Sequence, residues 1–478
     1  MTHTVDTAAG TPQQDAEAPL DPALRTAVTR ELPRTIADLS ALVRIPSVSW
    51  AAFDRDHVRA SAEAVAELVR EIGIFESVSV TQAGIPGTDE LGQPAILATR
   101  AAKNGRPTVL LYAHHDVQPP GQDEHWESPP FEPTVRGDRL YGRGAADDKA
   151  GVMAHIAALR AFLAVTAGDI DLGIALFIEG EEEFGSRSFA TFLSENREAL
   201  AADAIVVADS NNWDIDTPAI TIALRGNVTF RLTVSTLAHA SHSGMFGGAV
   251  PDAMMATIKL LGTLYNADGS VAIAGLTSHD APTPPYDEAA LRAETGLLDG
   301  VQPIGHGTIL SRLWSQPAVT VTGIDAPTVA NASNTLAPSV SVQVSVRIAP
   351  GQSASEAATV IEGHLRANAP FGAQISIDDL DTGDPFLVDT DGWAVADTRL
   401  AMASAWGVEP VDVGIGGSIP FIADLVREFP AAQILVTGVE DPDSRAHSPN
   451  ESLHLGVFTR AVLSEAFLLG RLNARTGH

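Results

Sequence analysis

Val109-Leu110-Leu111-Tyr112-Ala113-His114-His115-Asp116-Val117-Gln118-Pro119-Pro120 is an apolar run that ends abruptly in two histidines, an aspartate and two prolines. Val109 to Ala113 show no polar alternation, the pattern of a strand covered on both faces. Pro119-Pro120 prevent it from continuing as a central strand. Side chains alternate along a strand, so His114 and Asp116 project to one side and His115 to the other. A His-x-Asp pair at a strand's carboxyl end can supply an imidazole ligand and the carboxylate that orients it. Taken alone, a histidine there is more often a polar cap, so the rest of the chain has to supply partners.

Two more apolar strands end in the same way. Leu172 to Ile178 runs into Glu179-Gly180-Glu181-Glu182-Glu183-Phe184-Gly185-Ser186, and Ala204 to Ala208 ends in Asp209-Ser210-Asn211-Asn212-Trp213. Carboxylates crowded at a strand end repel unless a cation or a proton neutralises them. In an open α/β sheet the strand carboxyl ends converge on one crevice. Between these strands, Tyr141-Gly142-Arg143-Gly144-Ala145-Ala146-Asp147-Asp148-Lys149-Ala150-Gly151 leads into a helix through about Leu163, where an aspartate also serves as a cap. The glycines do not make a phosphate loop: the Gly-Lys-Ser/Thr ending is missing and carboxylates stand where a phosphate would sit.

Composition narrows the chemistry. The 478 residues suffice for two or three domains, and the formal net charge of -30 disfavours a nucleic acid or an anionic membrane as partner. There is no cysteine, so a metal must be held by nitrogen and oxygen. No apolar run is read as reaching bilayer length, and Met1 to Leu20 lack a basic start followed by an apolar segment. The expectation is a cytoplasmic protein with an unstructured tail over 1–20.

Before the first strands, helical spacing of Leu24, Val28, Leu32, Ile36, Leu39 and Val43 predicts a helix from Asp21 that Pro33 kinks or splits. From Gly226 the pattern changes to strict alternation, with Val228, Phe230, Leu232 and Val234 against Thr229, Arg231 and Thr233. A second alternating strand covers Val340 to Ile348, with Arg347 on its polar side, and a long loop is expected from Ala267 to Ser315. Helices near 251–265 and 354–367 and strands near 318–321 and 374–377 complete a β-α-β-β-α-β order, that of a ferredoxin-like unit. The expected fold is α/β: a mixed-sheet catalytic domain over 21–224 and 384–478, interrupted by an α+β insertion over 225–383. In Val413-Gly414-Ile415-Gly416-Gly417-Ser418-Ile419-Pro420 the Gly416-Gly417-Ser418 loop reads as a turn before a helix, and Ala446-His447-Ser448 as a loop before the closing helix.

Taken in order, these motifs resemble the M20 family of di-metal peptidases, in particular its cytosolic dipeptidases and carnosine dipeptidases, with a zinc-exopeptidase-like catalytic domain. The resemblance runs from about Ile45 to the last helix. It implies that His114, Asp147 and Asp209 bind one divalent metal ion and Asp147, Glu183 and His447 a second, with Asp147 bridging. The register among the adjacent acids is taken from Gly185 and Lys149. A shared carboxylate holds two ions about 3.5–4 Å apart, where a hydroxide can sit between them. Glu182 is implied as general base and Asp116 as the group orienting His114. The insertion is implied to form a homodimer, with His242 of His242-Ser243-Gly244 stabilising the oxyanion, in cis or from the other subunit. Arg347, Gly417 and Ser418 are implied to hold the substrate's terminal carboxylate. Ile415 departs from the glutamate that carnosine dipeptidases have before Gly-Gly-Ser, which weighs against β-alanyl dipeptides. The implied activity is hydrolysis of dipeptides or short peptides with Zn²⁺ or Mn²⁺, Co²⁺ being able to substitute. An N-acyl or N-carbamoyl amino-acid amidohydrolase is the alternative, because it needs the same activated water.

Overall fold

The computed structural model describes residues 20–417 and 420–475. Most of the expected tail, Ser418, Ile419 and the last three residues lie outside them.

The centre of the molecule is a nine-stranded mixed sheet. From one edge its strands are Ser77–Thr81, Ala95–Arg100, Gly173–Glu179, Thr108–His114, Ala204–Val207, Gln433–Val436, Ala219–Leu224 and Phe386–Leu387, and Val411–Ile415 also pairs with Ala219–Leu224. The four strands from Gly173–Glu179 to Gln433–Val436 are parallel to one another: Tyr112 is level with Phe177 on one side and Val207 on the other, and Val436 is level with Val207. Successive residues Leu110, Leu111, Tyr112 and Ala113 are all fully buried, so this strand is covered on both faces. The Tyr112 ring packs edge-on against Phe177 and Phe189 and at 4.5 Å from Phe421.

The helix Lys149–Thr166 lies against the 108–114 strand and packs with Asp21–Val43 and the closing helix Leu455–Ala474. By length and composition it could cross a membrane, but 72% of it is buried inside the protein. Lys149, His155 and Arg160 interrupt its apolar pattern, which is why no unbroken run marks it in the sequence. Lys149 is itself buried, and burial lowers its pKa to about 7. Its ammonium donates to the carbonyls of Leu42 (2.9 Å) and Ile45 (2.7 Å), satisfying acceptors where the 21–43 helix ends. Pro33 does not split that helix, which runs unbroken for 23 residues. A proline forfeits one backbone donor, and the buried stripe of Leu24, Val28, Leu39 and Val43 offsets that loss.

The strand Ala219–Leu224 leads directly into Gly226–Ser235, which belongs to a second, four-stranded antiparallel sheet ordered Ala318–Asp325, Ser339–Ile348, Gly226–Ser235, Gln374–Gly383. Val228, Phe230, Leu232 and Val234 are buried with Val340, Val342, Val344 and Val346 against the helices Ala253–Gly262 and Ala354–Ala367. The alternating residues Thr229, Arg231 and Thr233 lie on the other, more open face. Two short helices, Glu288–Thr295 and Ile309–Trp314, occur where a long loop was expected. The segment before Gly416 is a short strand, Val411–Ile415.

Candidate metal centre

Three neighbouring parallel strands deliver chemistry to one edge of the large sheet. His114 is the last residue of its strand, Glu182 and Glu183 follow Glu179 by three and four residues, and Asp209 follows Val207 by two. Asp147 comes from the turn that opens the 149–166 helix. The next residue, Asp148, is the cap of that helix, accepting from Gly151 N at 3.1 Å and from His114 N at 3.0 Å. Only glycine fits at 151, because a Cβ there would lie 2.2 Å from the Asp148 carboxylate and 2.4 Å from the Ala208 carbonyl. The adjacent aspartates therefore divide the work: Asp148 holds backbone and Asp147 faces the cleft.

Asp147 offers one oxygen to each imidazole. Its Oδ1 lies 3.1 Å from His114 Nε2 and its Oδ2 2.9 Å from His447 Nε2. Asp209 Oδ2 is 3.9 Å from His114 Nε2, and Glu183 Oε2 is 3.2 Å from His447 Nε2. The ligand atoms of His114, Asp147 and Asp209 lie within 4.8 Å of one another, and so do those of Asp147, Glu183 and His447. Two triads of imidazole nitrogen and carboxylate oxygen that share one carboxylate suit a pair of divalent cations.

The electrostatics point the same way. Burial, joined by the Asp147 charge, pushes Glu183 up to about 7, and burial pushes Asp209 up to about 6. Glu182 is raised well above the carboxylate range by burial and by Asp209 and Glu183. Burial alone would raise Asp147, yet hydrogen bonds from His114 and His447 hold it below the usual range, and the same contacts with Asp147 and Glu183 push His447 up to about 11. Without a cation, two imidazoles must carry protons to hold these acids together. Divalent ions would take over that role.

The surrounding groups fix the ligands. Asp116 lies 3.3 Å from His114 Nδ1, and its two oxygens accept from Glu182 N and Glu183 N at 3.1 Å and from Ser49 Oγ at 2.7 Å. Gln118 donates to both oxygens of Glu183, from N at 3.1 Å and from Nε2 at 2.7 Å. Glu451 is fully buried, pairs with Arg143, and accepts from Ala146 N and Asp147 N. Glu181 turns away from the cleft to Ser188 and to Gln93 N. Glu182 stands apart from these bonds, with its Oε2 3.9 Å from His114 Nε2. His115 faces away and donates from Nε2 to the Pro94 carbonyl at 2.9 Å; burial lowers it to about 4 and keeps it neutral.

The remaining predicted site residues are not drawn into this cluster. His242 is exposed and has no hydrogen bond or ion pair to the five acids and imidazoles among the described residues. Its Nδ1 accepts from Gly244 N at 3.0 Å, which leaves the proton on Nε2 and a donor pointing outward. Arg347 lies on the 339–348 strand level with Asn227 and Ala318. Gly417 follows the 411–415 strand, and Ser418 lies outside the described residues. Arg225 was not singled out from sequence. It donates from Nε to the Gly416 carbonyl (3.1 Å) and from Nη1 to the carbonyls of Arg312 and Gln316 (3.3 Å each), and so holds the Gly416-Gly417 turn. Burial, together with the Arg347 charge, lowers its pKa to about 10.

The model of peptidase family M20/M25/M40 matches residues 110–468. The chain is 35% identical over 380 residues to a cysteinylglycine-S-conjugate dipeptidase of Corynebacterium striatum, covering 78% of this chain and 83% of that protein. It is 26% identical over 445 residues to the Cys-Gly metallodipeptidase dug1 of Schizosaccharomyces pombe, covering 89% and 93%. The fold matches the solved structure of the dipeptidase Dug1p from Saccharomyces cerevisiae with a TM-score of 0.74 at 23% identity, over 95% of this chain and 99% of that one.

Proposed function

The chain belongs to peptidase family M20/M25/M40, and on that premise we propose that it is a metal-dependent dipeptidase acting on dipeptides or short peptides with a free carboxyl terminus. The observation that carries this is Asp147, whose two oxygens face the imidazoles of two separate ligand triads. Two divalent ions bound there, Zn²⁺ or Mn²⁺ with Co²⁺ as a substitute, supply Lewis acidity toward the scissile carbonyl and lower the pKa of a water. In this reading His114, Asp147 and Asp209 hold one ion and Asp147, Glu183 and His447 the other. Asp116 keeps the His114 ring in place. Glu182, raised above the ordinary carboxylate range and free of other donors' hold, takes a proton from the attacking water and returns it to the leaving amine.

The substrate's terminal carboxylate is assigned to Arg347, Gly417 and Ser418. A guanidinium fork matches that group, and Arg225 braces the turn beside it. His242, with its Nε2–H turned outward, is assigned to the oxyanion, reaching it from the second subunit of a homodimer formed through residues 225–383. Supporting that dimer, Ala318–Asp325 is an edge strand with Val321 and Ile324 exposed, Val329 four residues beyond it is 95% exposed, and Met245, 73% exposed, follows Ser241–His242, which pairs with Thr335–Leu336.

The test is a panel of Cys-Gly, Ala-Ala, β-Ala-His and N-acetyl-alanine with Zn²⁺-loaded and Mn²⁺-loaded protein. Turnover of the dipeptides and its loss on chelation are expected. Turnover of N-acetyl-alanine alone would instead establish the amidohydrolase.

A further inference from the structure

The large sheet has a fourth parallel strand beside the three that build the metal centre. Gln433–Val436 pairs with Ala204–Val207, ends at the same edge, and continues through Thr437-Gly438-Val439 to Glu440. Glu440 forms a parallel bridge with Asn211, two residues beyond Asp209. Its carbonyl accepts from Asn212 N at 2.9 Å and from Asn212 Nδ2 at 3.0 Å. The two segments run so close that a Cβ on Gly438 would fall 1.6 Å from the Ser210 carbonyl oxygen. The backbone of Glu440 is thus pinned to Asn211, two residues beyond Asp209.

Its side chain is treated differently from the other buried acids around the site. Glu440 is 7% exposed, yet its carboxylate has no hydrogen bond and no ion pair among the described residues. Glu451 has Arg143 and two backbone donors, Asp441 has Arg139 and Ser444, Glu181 has Ser188 and Gln93, and Asp116 has Ser49 and two backbone donors. Glu440 also belongs to neither ligand triad. Burial and the charges of Asp147 and Asp209 raise its pKa, which places it within the electrostatic reach of both triads. A carboxylate with no protein donors is open to a ligand that supplies them.

We propose that Glu440 is a specificity residue that receives the α-ammonium group of the substrate's first residue, so that the enzyme selects peptides with a free amino terminus. The proposal rests on the peptidase reading above. In a dipeptide one carbon separates the α-nitrogen from the scissile carbonyl, so the group that binds it must lie near the metal centre, and Glu440 is bridged to Asn211, two residues beyond Asp209, and feels the charges of Asp147 and Asp209. An ammonium brings a full charge and three donors to an acceptor that has none.

The test compares Ala-Gly with propionyl-glycine, which differs only in lacking the amine, using fully Mn²⁺-loaded wild type, Glu440→Gln and Glu440→Asp. Glu440→Gln is expected to lower kcat/KM for Ala-Gly by about 10- to 100-fold, the size of a lost charge-assisted hydrogen bond, while changing that for propionyl-glycine less than about twofold. The metal content is expected to stay at two per subunit. Calorimetric affinity for L-alanine is expected to fall in the variant while that for propionate does not. Glu440→Asp keeps the charge and is expected to recover part of the preference for Ala-Gly, which guards against misreading a folding defect. Equal losses on both substrates, or no loss on either, would overturn the amine site while leaving the peptidase intact. A metal-loaded wild type that cleaves neither would overturn the proposed function, and this assignment with it.

Discussion

The two sheets handle polar groups in opposite ways. At the edge of the large sheet the charges are buried and crowded: His114 and Asp116 are fully buried, Asp147 and Glu183 nearly so, and each is fixed by backbone or side-chain partners. In the four-stranded sheet the apolar residues are the unusual feature, since Val321 and Ile324 are exposed along an edge strand, and His242 presents a donor to the surface. The first region is preorganised to hold cations. The second exposes apolar side chains along an edge strand. In the proposed dimer, metal binding would belong to one chain and substrate closure to two.

The comparison can be broken most severely at Asp147. Asp147→Ala is expected to abolish measurable turnover and to reduce bound metal from two ions to one or none, read by elemental analysis; an active variant holding two ions would refute the shared carboxylate. Glu182→Ala is expected to retain both ions and to lose about 10²- to 10⁴-fold in kcat, the range for a general base. Its metal content separates it from ligand loss.

His242→Ala should lose about 10²- to 10³-fold in kcat, as when an oxyanion donor is removed, with metal content unchanged. Mixing inactive His242→Ala with inactive Glu182→Ala is expected to restore activity through mixed dimers, because one of their two sites then has both groups. No recovery after verified subunit exchange would place His242 in its own subunit's site. A smaller effect is expected at the edge strand, where Ile324→Asp should shift the sedimentation profile toward monomer at micromolar concentration without altering metal content.

The smallest effect concerns the metal-free protein and pH. Asp209 near 6 and Glu183 near 7 lie above their unfolded values, so the folded state binds more protons between about pH 4.5 and 7. His447, raised to about 11, acts in the same direction: its stabilisation is complete below the unfolded value of about 6.5 and is lost as pH rises toward the folded one. Metal-free stability should therefore fall as pH rises through this window. Asp147, held low, loses its contribution only at more acidic pH. The increase in Tm on adding Mn²⁺ should be larger at pH 7.5 than at pH 5.5, since ligand protons no longer compete. An increase that shrinks with pH would contradict this assignment of the shifts.

Much of this site was legible because strands announce themselves. The apolar runs ending at His114, before Glu182 and before Asp209 are local patterns, and a parallel sheet necessarily gathers such ends. Strict alternation at 228–234 and 340–348 likewise marks the second sheet. Arg225, Glu440 and Glu451 were not legible in the same way. Arg225 is held by carbonyl oxygens 87 to 191 positions away, and a carbonyl carries no side-chain signature. Glu451 meets Arg143 across 308 positions, and what distinguishes Glu440 is that its carboxylate has no hydrogen-bond or ion-pair partner among the described residues. The strand at 411–415 is too short and glycine-interrupted to show a period, and Pro33 reads as a break because the packing that overrides it lies elsewhere in the chain.

The most direct test of the central claim is anomalous scattering from crystals of the Mn²⁺-loaded protein. Two peaks per subunit about 3.5–4 Å apart are expected, with one oxygen of Asp147 on each, His114 and Asp209 on the first and Glu183 and His447 on the second. A single peak, or an Asp147 that reaches only one of two, would contradict it.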